Sequence, residues 1–291
     1  MQSTARSYEC SAQLVQTNQL DEKSIISLAK KEIIAIIVKN YYPKNICTDV
    51  ANHIMTHKDY GYYANVGHEK DVSDVGRLGT SFFEVCKDPK MTEDYFNNAS
   101  IQAKEIRDIF NPYYTPIDRL RLELEELWPN GAALETLHGK KMFVGLCRAL
   151  EPGKTFLPHT DWFYQDANYS IEATSLRAQL AANIYLNVAS KGGELLLWDI
   201  DINESDYQSL KLDKSYGLDI KKLPAPAIKI NPAAGDLILF NAMRPHSVST
   251  PDVYRLSQSC FIGYRGDHVP LRDRHEITSL LALRLAADLD D

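Results

Sequence analysis

The chain has 291 residues, of which 44% are hydrophobic and 24% are charged, a composition typical of a globular protein large enough to bury a core. The formal net charge is −7 and Lys and Arg do not cluster, which argues against nucleic acid as a partner. The cysteines form no CxxC pair, so we expect no thiolate zinc site and no disulfide framework. No stretch approaches the ~18 apolar residues of a membrane span, so we expect no membrane partner and a cytoplasmic location.

The first 140 residues are predicted to form a mainly helical part. Residues 1–20 are polar and aperiodic, and we expect them to be loosely held. Asp21 is suited to cap a helix, and Ile33–Val38 is a β-branched run typical of a strand. Pro43 then predicts the start of a second helix.

A segment rich in Gly, Tyr and Phe extends from Asp59 to Lys90. Its composition favours a structured loop, and such loops often line binding sites. Residues 92–128 are predicted to form two helices that are interrupted at Asn111-Pro112, because the second has apolar positions at helical spacing.

From Lys141 onward the pattern changes to short β-rich runs separated by turn residues. These runs are MFVGLCRAL, LAANIYLNV, ELLLWDI, AIKINP, DLILFN, HSVST and LSQSCFIGY. Such a series of short runs indicates a sheet sandwich or jelly roll. Gly192-Gly193 supplies a tight turn, and the polar insert 200–226 is expected to leave the barrel as a loop.

The predicted architecture is an α+β fold with a double-stranded β-helix at its centre. This cupin-like jelly roll is expected over residues 141–266, with the helices of residues 1–140 packed on it as a buttress. Residues 267–291 are predicted to contribute a C-terminal helix, Glu276–Ala287, and an acidic tail. We expect the three parts to form one structural domain.

The pattern His159-Thr160-Asp161 indicates a metal site. In a strand, residues i and i+2 point to the same face, so the side chains of His159 and Asp161 can reach one ion. A third candidate ligand, His246, directly follows the predicted strand DLILFN and its turn. Two imidazoles and one carboxylate form the facial triad typical of non-haem Fe(II) oxygenases. A hydrogen-bonded core network is the alternative for these side chains.

Arg255 follows His246 by nine positions, in the run Arg255-Leu256-Ser257. A strand at this point can carry the guanidinium group deep into the barrel. Its fork of donors suits the distal carboxylate of a dicarboxylate co-substrate. A buried structural ion pair is the alternative for Arg255.

In these residues the chain resembles the 2-oxoglutarate oxygenase superfamily. The signature of that superfamily combines HxD, a distal His and an Arg some nine or ten residues later, often as RxS, and residues 141–265 match it in order and spacing. The resemblance implies that His159, Asp161 and His246 bind Fe(II), and that 2-oxoglutarate and O2 are co-substrates.

The resemblance also assigns residues to the co-substrate. It implies that Arg255 and Ser257 hold the far carboxylate of 2-oxoglutarate. Arg148 lies 11 positions before His159, where members of the superfamily place a polar side chain on 2-oxoglutarate. Gly153 stands at the usual turn before the HxD motif.

A looser resemblance extends to the small-molecule branch that contains N-succinyl amino-acid hydroxylases and hapalindole-type carbon halogenases. It is carried by EIIAIIVKNYYPKNICTDVANHI, by the loop before Asp94-Tyr95-Phe96 and by the GGELLLWD hairpin at Gly192–Asp199. In the halogenases Gly or Ala replaces the HxD carboxylate and opens an iron position for chloride, whereas Asp161 fills that position here. The resemblance therefore implies hydroxylation, and it leaves desaturation or ring closure open because they use the same ligands.

Arg77, Phe82 and Trp162 are candidate substrate contacts. Arg77 would present a cation, and Phe82 and Trp162 aromatic walls, to a small anionic or amphipathic substrate. Phe82 and the adjacent Phe83 are equally compatible with ordinary core positions. The expected substrate is an amino acid, an amino-acid derivative or a specialised metabolite. The alternatives are a protein side chain as substrate and a non-catalytic sensor of 2-oxoglutarate, and a homodimer is left open.

Overall fold

The computed structural model describes residues 13–63 and 75–274 of the chain. Most of the N-terminal segment 1–20, part of the Asp59–Lys90 loop and the predicted helix Glu276–Ala287 lie outside the described residues. The division into parts 1–140, 141–266 and 267–291 stays a prediction.

Seven α-helices lie in the described part of the chain. They are α1 (Glu22–Ala29), α2 (Lys44–Met55), α3 (Pro89–Phe110), α4 (Pro116–Leu127), α5 (Phe163–Asp166), α6 (Ile171–Thr174) and α7 (Glu204–Leu210), with a 3₁₀ turn at Phe82–Glu84. None of these described helices has the length and apolar character needed to cross a bilayer.

Sixteen strands accompany these helices in the described residues. They are β1 (Leu14–Thr17), β2 (Ala35–Val38), β3 (Gly61–Tyr62), β4 (Val75–Leu78), β5 (Ala132–Leu134), β6 (Thr136–Leu137), β7 (Lys140–Lys141), β8 (Leu146–Leu150), β9 (Phe156–His159), β10 (Ala178–Asn187), β11 (Leu195–Leu197), β12 (Ile228–Ile230), β13 (Leu237–Asn241), β14 (His246–Val248), β15 (Arg255–Tyr264) and β16 (Leu271–Arg274). Each of the seven β-rich runs after Lys141 contains one of them, which confirms that prediction.

The helix starts follow local chemistry. The Asp21 carboxylate accepts a hydrogen bond from the Ser24 N–H at 2.8 Å and so satisfies one of the unpaired N–H groups at the start of α1. Pro43 immediately precedes α2, and Thr115 caps α4. The predicted helix starts and the break between α3 and α4 are therefore confirmed.

Two β-sheets build the centre of the molecule. The larger has ten strands in the order β1-β2-β13-β10-β15-β8-β4-β3, with β16 and β5 attached beside β15, and the smaller has the order β12-β11-β14-β9. A core that includes Tyr185 and Phe261 from the larger sheet and Leu195 and Val248 from the smaller lies between them. Successive side chains of a strand point to opposite faces of the sheet. The larger sheet therefore has an inner face toward this core and an outer face toward the helices.

Strands from before residue 141 extend the larger sheet, and of these the sequence predicted β2, within Ile33–Val38, but not β4. β2 pairs with β13, and β4 pairs with β8. On the outer face, α1 and α2 contact β10 while α4 contacts β15. The helices and the sheet therefore share one hydrophobic core, which includes Ile25, Val50, Leu120 and Ala182.

The insert 200–226 does not leave the barrel as a loop, so that expectation was wrong. It contains α7, which begins with reciprocal hydrogen bonds between Asn203 and Asp206. Its apolar side chains join Trp162 and Trp198 in a third hydrophobic cluster, which includes Tyr207, Leu218 and Leu223. The burial of these side chains holds the insert against the smaller sheet.

Candidate metal centre

Three side chains with metal-binding groups meet between the two sheets. His159 ends β9 and His246 begins β14, and these neighbouring strands pair the two histidines directly. Asp161 follows β9, with its carboxylate oxygens 3.9 Å from His159 Nε2 and 3.3 Å from His246 Nε2. One ligand atom from each residue lies within 4.8 Å of the others, and all three residues are buried. The structure thus brings the predicted triad together.

Backbone carbonyl groups orient both imidazole rings. Nδ1 of His159 lies 2.6 Å from the oxygen of Leu157, and Nδ1 of His246 lies 3.0 Å from the oxygen of Arg244. Since a carbonyl oxygen can only accept, each Nδ1 carries the hydrogen and donates it. Nε2 of each ring is then the atom available to a metal ion, and the backbone holds the ring in that orientation.

The electrostatics of the cluster suit a divalent cation. Burial lowers the pKa of His159 to about 3, and the neighbouring His246 acts in the same direction. The imidazole of His159 is therefore neutral at physiological pH. Burial alone would raise the pKa of Asp161, but the adjacent imidazole of His246 and the charge of nearby groups, which include Arg148, bring the pKa below its usual value. Two imidazole nitrogens and one carboxylate form the donor set typical of non-haem Fe(II). The residues present therefore fit this metal.

Arg255 lies in the same cavity as the triad, at the first position of β15. Its Nη2 donates to the hydroxyl of Tyr185 at 2.9 Å, and its guanidinium carbon lies 4.7 Å from the centre of the Tyr185 ring. Burial lowers the pKa of Arg255, although an arginine keeps its charge in proteins. Nε of Arg255 and Oγ of Ser257 are buried without a hydrogen-bond partner in the described structure. This combination offers free donors to an anion.

Arg148 adds a second guanidinium group to the inner face. It pairs across the sheet with Ser257 and lies 5.1 Å above the ring of Phe156. No carboxylate of the described residues lies within ion-pair distance of Arg148 or Arg255. Arg255 is buried and Arg148 is half-buried, and cations in such surroundings are costly unless an anion joins them. Among the described residues, this pair of positive charges therefore suits a dicarboxylate ligand.

The candidate substrate residues lie farther from the triad. Arg77 is the direct cross-strand neighbour of Arg148, but its guanidinium donates to Glu84 at 2.7 Å and to the oxygen of Gly79 at 2.9 Å. Trp162 follows Asp161 directly and packs in the cluster of the insert, with its ring centre 5.5 Å from that of Tyr207.

Phe82 lies on the helical side of the molecule. Its ring centre is 5.4 Å from that of Tyr95 and 5.9 Å from that of Phe96, in the core shared by sheet and helices. This is the core position that the sequence left open for Phe82.

Tyr185 was missed by the sequence reasoning. It belongs to the run LAANIYLNV, in which Ala181, Asn183 and Tyr185 alternate toward the cavity side of β10. A tyrosine on the same face as Asn183 in a mainly apolar strand was the available signal, because a buried tyrosine hydroxyl needs a hydrogen-bond partner. That partner is Arg255, which is 70 positions away and could not be inferred from the strand itself.

The chain is similar to several known proteins. Residues 13–255 match the family described as the carrier-protein-independent halogenase WelO5. The chain is also similar to L-γ-glutamyl-L-propargylglycine hydroxylase of Streptantibioticus cattleyicolor, with 29% identity over 200 residues, which cover 65% of this chain and 70% of that protein.

Similar solved structures share the fold. One is a crystal structure of an N-substituted L-amino acid dioxygenase from Burkholderia ambifaria AMMD in complex with α-ketoglutarate. Its TM-score is 0.59 at 15% identity, and the match covers 87% of this chain and 90% of the dioxygenase chain. A second structure of a dioxygenase with the same description and organism has a TM-score of 0.58 at 15% identity and covers 87% and 91% of the two chains. This fold is that of the 2-oxoglutarate oxygenases, which have a jelly-roll core.

Proposed function

The chain belongs to the family of the carrier-protein-independent halogenase WelO5 and is a 2-oxoglutarate-dependent dioxygenase, and we propose that it hydroxylates a C–H bond of a small N-acylated amino acid. Its cofactor is Fe(II), and its co-substrates are 2-oxoglutarate and O2. The residues that would hold Fe(II) are His159, Asp161 and His246.

The carboxylate of Asp161 is the observation that carries the choice of hydroxylation. It lies 3.3 Å from Nε2 of His246, inside the cluster of possible ligand atoms. Halogenases of the resembling branch have Gly or Ala at this position, which leaves room for chloride beside the metal. With Asp161 in place the chain supplies that ligand itself, which supports oxygen transfer to the substrate.

Bound Fe(II) supplies the redox chemistry, in which O2 is reduced, 2-oxoglutarate becomes succinate and CO2, and one oxygen atom enters a C–H bond of the substrate. The protein contributes position and charge. Arg255, oriented by Tyr185, and Ser257 would bind the far carboxylate of 2-oxoglutarate, while Arg148 would contribute positive charge from the neighbouring strand.

Exclusion of water is the second contribution of the protein. The cavity around the triad is lined by apolar side chains from both sheets, which include Phe156, Ala181, Leu195, Phe240 and Phe261. An apolar wall strengthens the interactions of the buried charges and keeps solvent from the reacting groups.

The proposed substrate class rests on charge and on a relative. The relative from S. cattleyicolor is named as a hydroxylase of a γ-glutamyl amino acid, an N-acylated amino acid with free carboxylates. Arg77 lies beside Arg148 on the inner face of the sheet, and its Nε is buried without a hydrogen-bond partner in the described structure. This donor supports a contact with an anionic substrate, and Trp162 would contribute to the wall next to Asp161.

The test uses purified protein with Fe(II), 2-oxoglutarate, O2 and chloride, and a panel of N-acyl and N-γ-glutamyl L-amino acids. Succinate and the mass of the organic product are measured. We expect succinate formation that depends on one substrate class, with a product heavier by one oxygen atom. His246→Ala should form neither.

Other results would reject the proposal in distinct ways. A product in which chlorine replaces hydrogen would identify a halogenase in spite of Asp161. Hydroxylation of peptide or protein substrates alone would favour the peptidyl alternative. Binding of 2-oxoglutarate without succinate from any substrate would favour the non-catalytic sensor.

A further inference from the structure

A network of hydrogen bonds closes the turn that carries Asp161. The Asp161 N–H donates to the oxygen of Ala242 at 2.8 Å, and the Ala242 N–H donates to the backbone oxygen of Gln179 at 2.8 Å. The side-chain oxygen of the same Gln179 accepts from the Phe163 N–H at 3.2 Å. Both ends of the turn from Asp161 to Phe163 are therefore tied to one residue of β10.

Arg274 holds this glutamine and the turn together. Its Nη2 donates to the side-chain oxygen of Gln179 at 2.6 Å, and its guanidinium carbon lies 3.9 Å from the centre of the Phe163 ring. Arg274 also faces the carboxylate of Glu135 at 3.7 Å, and it is fully buried. A planar guanidinium group is suited to this double task because it can stack and donate at the same time.

We propose that Gln179 and Arg274 are positioning residues for the metal centre, which keep the carboxylate of Asp161 directed at the imidazole of His246. Their hydrogen bonds and ring contact reach the turn at Phe163, two residues after Asp161. They act through the backbone of the turn. The side chains of Gln179 on β10 and Arg274 on β16 thus determine the position of Asp161. The inference rests on the proposed metal centre.

The physical reason is the geometry that a metal ion requires. A ligand set binds strongly only when its donor atoms are held near the productive arrangement before the ion arrives. Loss of groups that orient the ligands typically weakens metal binding ~10-fold to 100-fold. Without the hydrogen bond from Phe163 to Gln179, the turn would be held only by the hydrogen bond from the Asp161 N–H to Ala242.

The chain offers a matched control for a mutation at this position. Gln258 is as deeply buried as Gln179 and also bridges backbone groups, since it accepts from the Ile117 N–H at 3.3 Å and donates to the oxygen of Gly145 at 2.9 Å. These bonds connect α4 to the sheet and involve no residue of the turn. Gln258→Leu therefore removes an equivalent buried amide without changing the support of Asp161.

The experiment measures binding of Co(II) to the metal-free full-length protein, by calorimetry and by the visible absorption of the bound ion, with no turnover required. Gln179→Leu should weaken Co(II) binding ~10-fold or more and shift the absorption bands. Gln179→Glu keeps an acceptor for Phe163 and Arg274, so its affinity should stay close to that of the wild type. Gln258→Leu should be destabilised in urea unfolding with unchanged Co(II) affinity.

Three results would overturn the inference. These are wild-type affinity and spectrum in Gln179→Leu, equal weakening in Gln179→Leu and Gln258→Leu, and equal weakening in Gln179→Glu and Gln179→Leu. If Gln179→Leu does not fold, Gln179→Asn, which withdraws the amide by one methylene, takes its place under the same criteria. Equal Co(II) binding by the wild type and His246→Ala would instead reject the proposed metal centre itself.

Discussion

At the scale of single residues, the surroundings of Arg255 support its proposed role in binding 2-oxoglutarate. The residue is buried with one hydrogen bond, to the hydroxyl of Tyr185, and with a free Nε donor in the described structure. The alternative of a structural ion pair would require a carboxylate partner, and none of the described residues provides one within 4 Å. The proposed carboxylate of the co-substrate would offset the cost of burying this charge.

Arg255→Ala should raise the concentration of 2-oxoglutarate needed for half-maximal binding. Loss of a buried charge-assisted contact costs about 2–5 kcal/mol, which corresponds to roughly 30-fold to several-thousand-fold in affinity. Arg255→Lys should recover part of this loss, because lysine keeps the charge without the planar fork. Tyr185→Phe should have a smaller effect on affinity, since the guanidinium group keeps its charge and loses only the hydrogen bond to the Tyr185 hydroxyl.

The measurement is a 2-oxoglutarate titration of the Co(II)-loaded or Fe(II)-loaded protein under anaerobic conditions, followed by absorption. An unchanged affinity in Arg255→Ala would transfer the role to another cation, and Arg148 would then be the first candidate.

At the scale of elements, the insert 200–226 supports the strand that carries His159. The Leu218 N–H donates to the oxygen of Pro158 at 2.8 Å, and the Leu157 N–H donates to the hydroxyl of Tyr216 at 2.9 Å. β9 pairs with β14 along one edge only. The insert therefore forms hydrogen bonds with backbone groups on the other edge of β9. The ring of Tyr216 also meets that of His159 edge-on, with 5.8 Å between centres.

Gly217 allows this close approach, and Gly217→Ala should push the insert away from β9. An added Cβ would lie 2.4 Å from the Cβ of Leu157, so the backbone of one segment must move. We expect a loss of about 1–3 kcal/mol in the free energy of unfolding, measured by urea denaturation. Gly61→Ala is the matched control, because a Cβ there meets nothing within 4 Å. Equal free energies of unfolding for the two variants would show that the insert can shift away from β9 without loss of stability.

At the scale of the whole molecule, a group of buried charges joins α4, β16 and the chain before β6. Asp273 is buried, with Nε of Arg121 3.7 Å from its carboxylate, and Glu135 bonds to Arg265 at 2.8 Å. Neither carboxylate oxygen of Asp273 has a hydrogen-bond partner in the described structure. Burial raises the pKa of Asp273 to about 7, although Arg121 acts in the opposite direction.

This raised pKa predicts that Asp273 makes the free energy of unfolding depend on pH. The unfolded chain loses the proton near 3.8 and the folded chain near 7, so in this window only the folded state keeps it. Stability from this group is therefore present at low pH and is lost as the pH rises toward 7. Asp273→Asn removes the titration, so its stability relative to the wild type should increase by about 1–3 kcal/mol between pH ~5 and pH ~8.

Urea unfolding of both proteins across this range measures the difference. Asp49→Asn, at an exposed position of α2, is the control, because it removes a carboxyl group from the surface instead of the core. A constant difference between Asp273→Asn and the wild type would mean that folding does not raise the pKa of Asp273.

Local patterns predicted the elements from residues that lie near each other in the chain. Asp21, Pro43 and the β-rich runs predicted helix starts and strands because capping and the period of two act over a few residues. β4 was missed, because its sequence, VGRL, has too few β-branched residues to indicate a strand. The insert was predicted as a loop because polar residues dominate it, while Tyr207 and Leu218 find their apolar partners only in Trp162 and Trp198.

The sequence by itself determined the candidate ligands, because HxD places two donors on one face of an extended chain and the distance to His246 and Arg255 fits a known order. Only the tertiary structure decided which residues support them. The pairing of β9 with β14 joins His159 to His246, and the register of β10 and β15 brings Tyr185 to Arg255. Such contacts depend on sheet register and side-chain packing between segments far apart in the chain, and no local pattern encodes these.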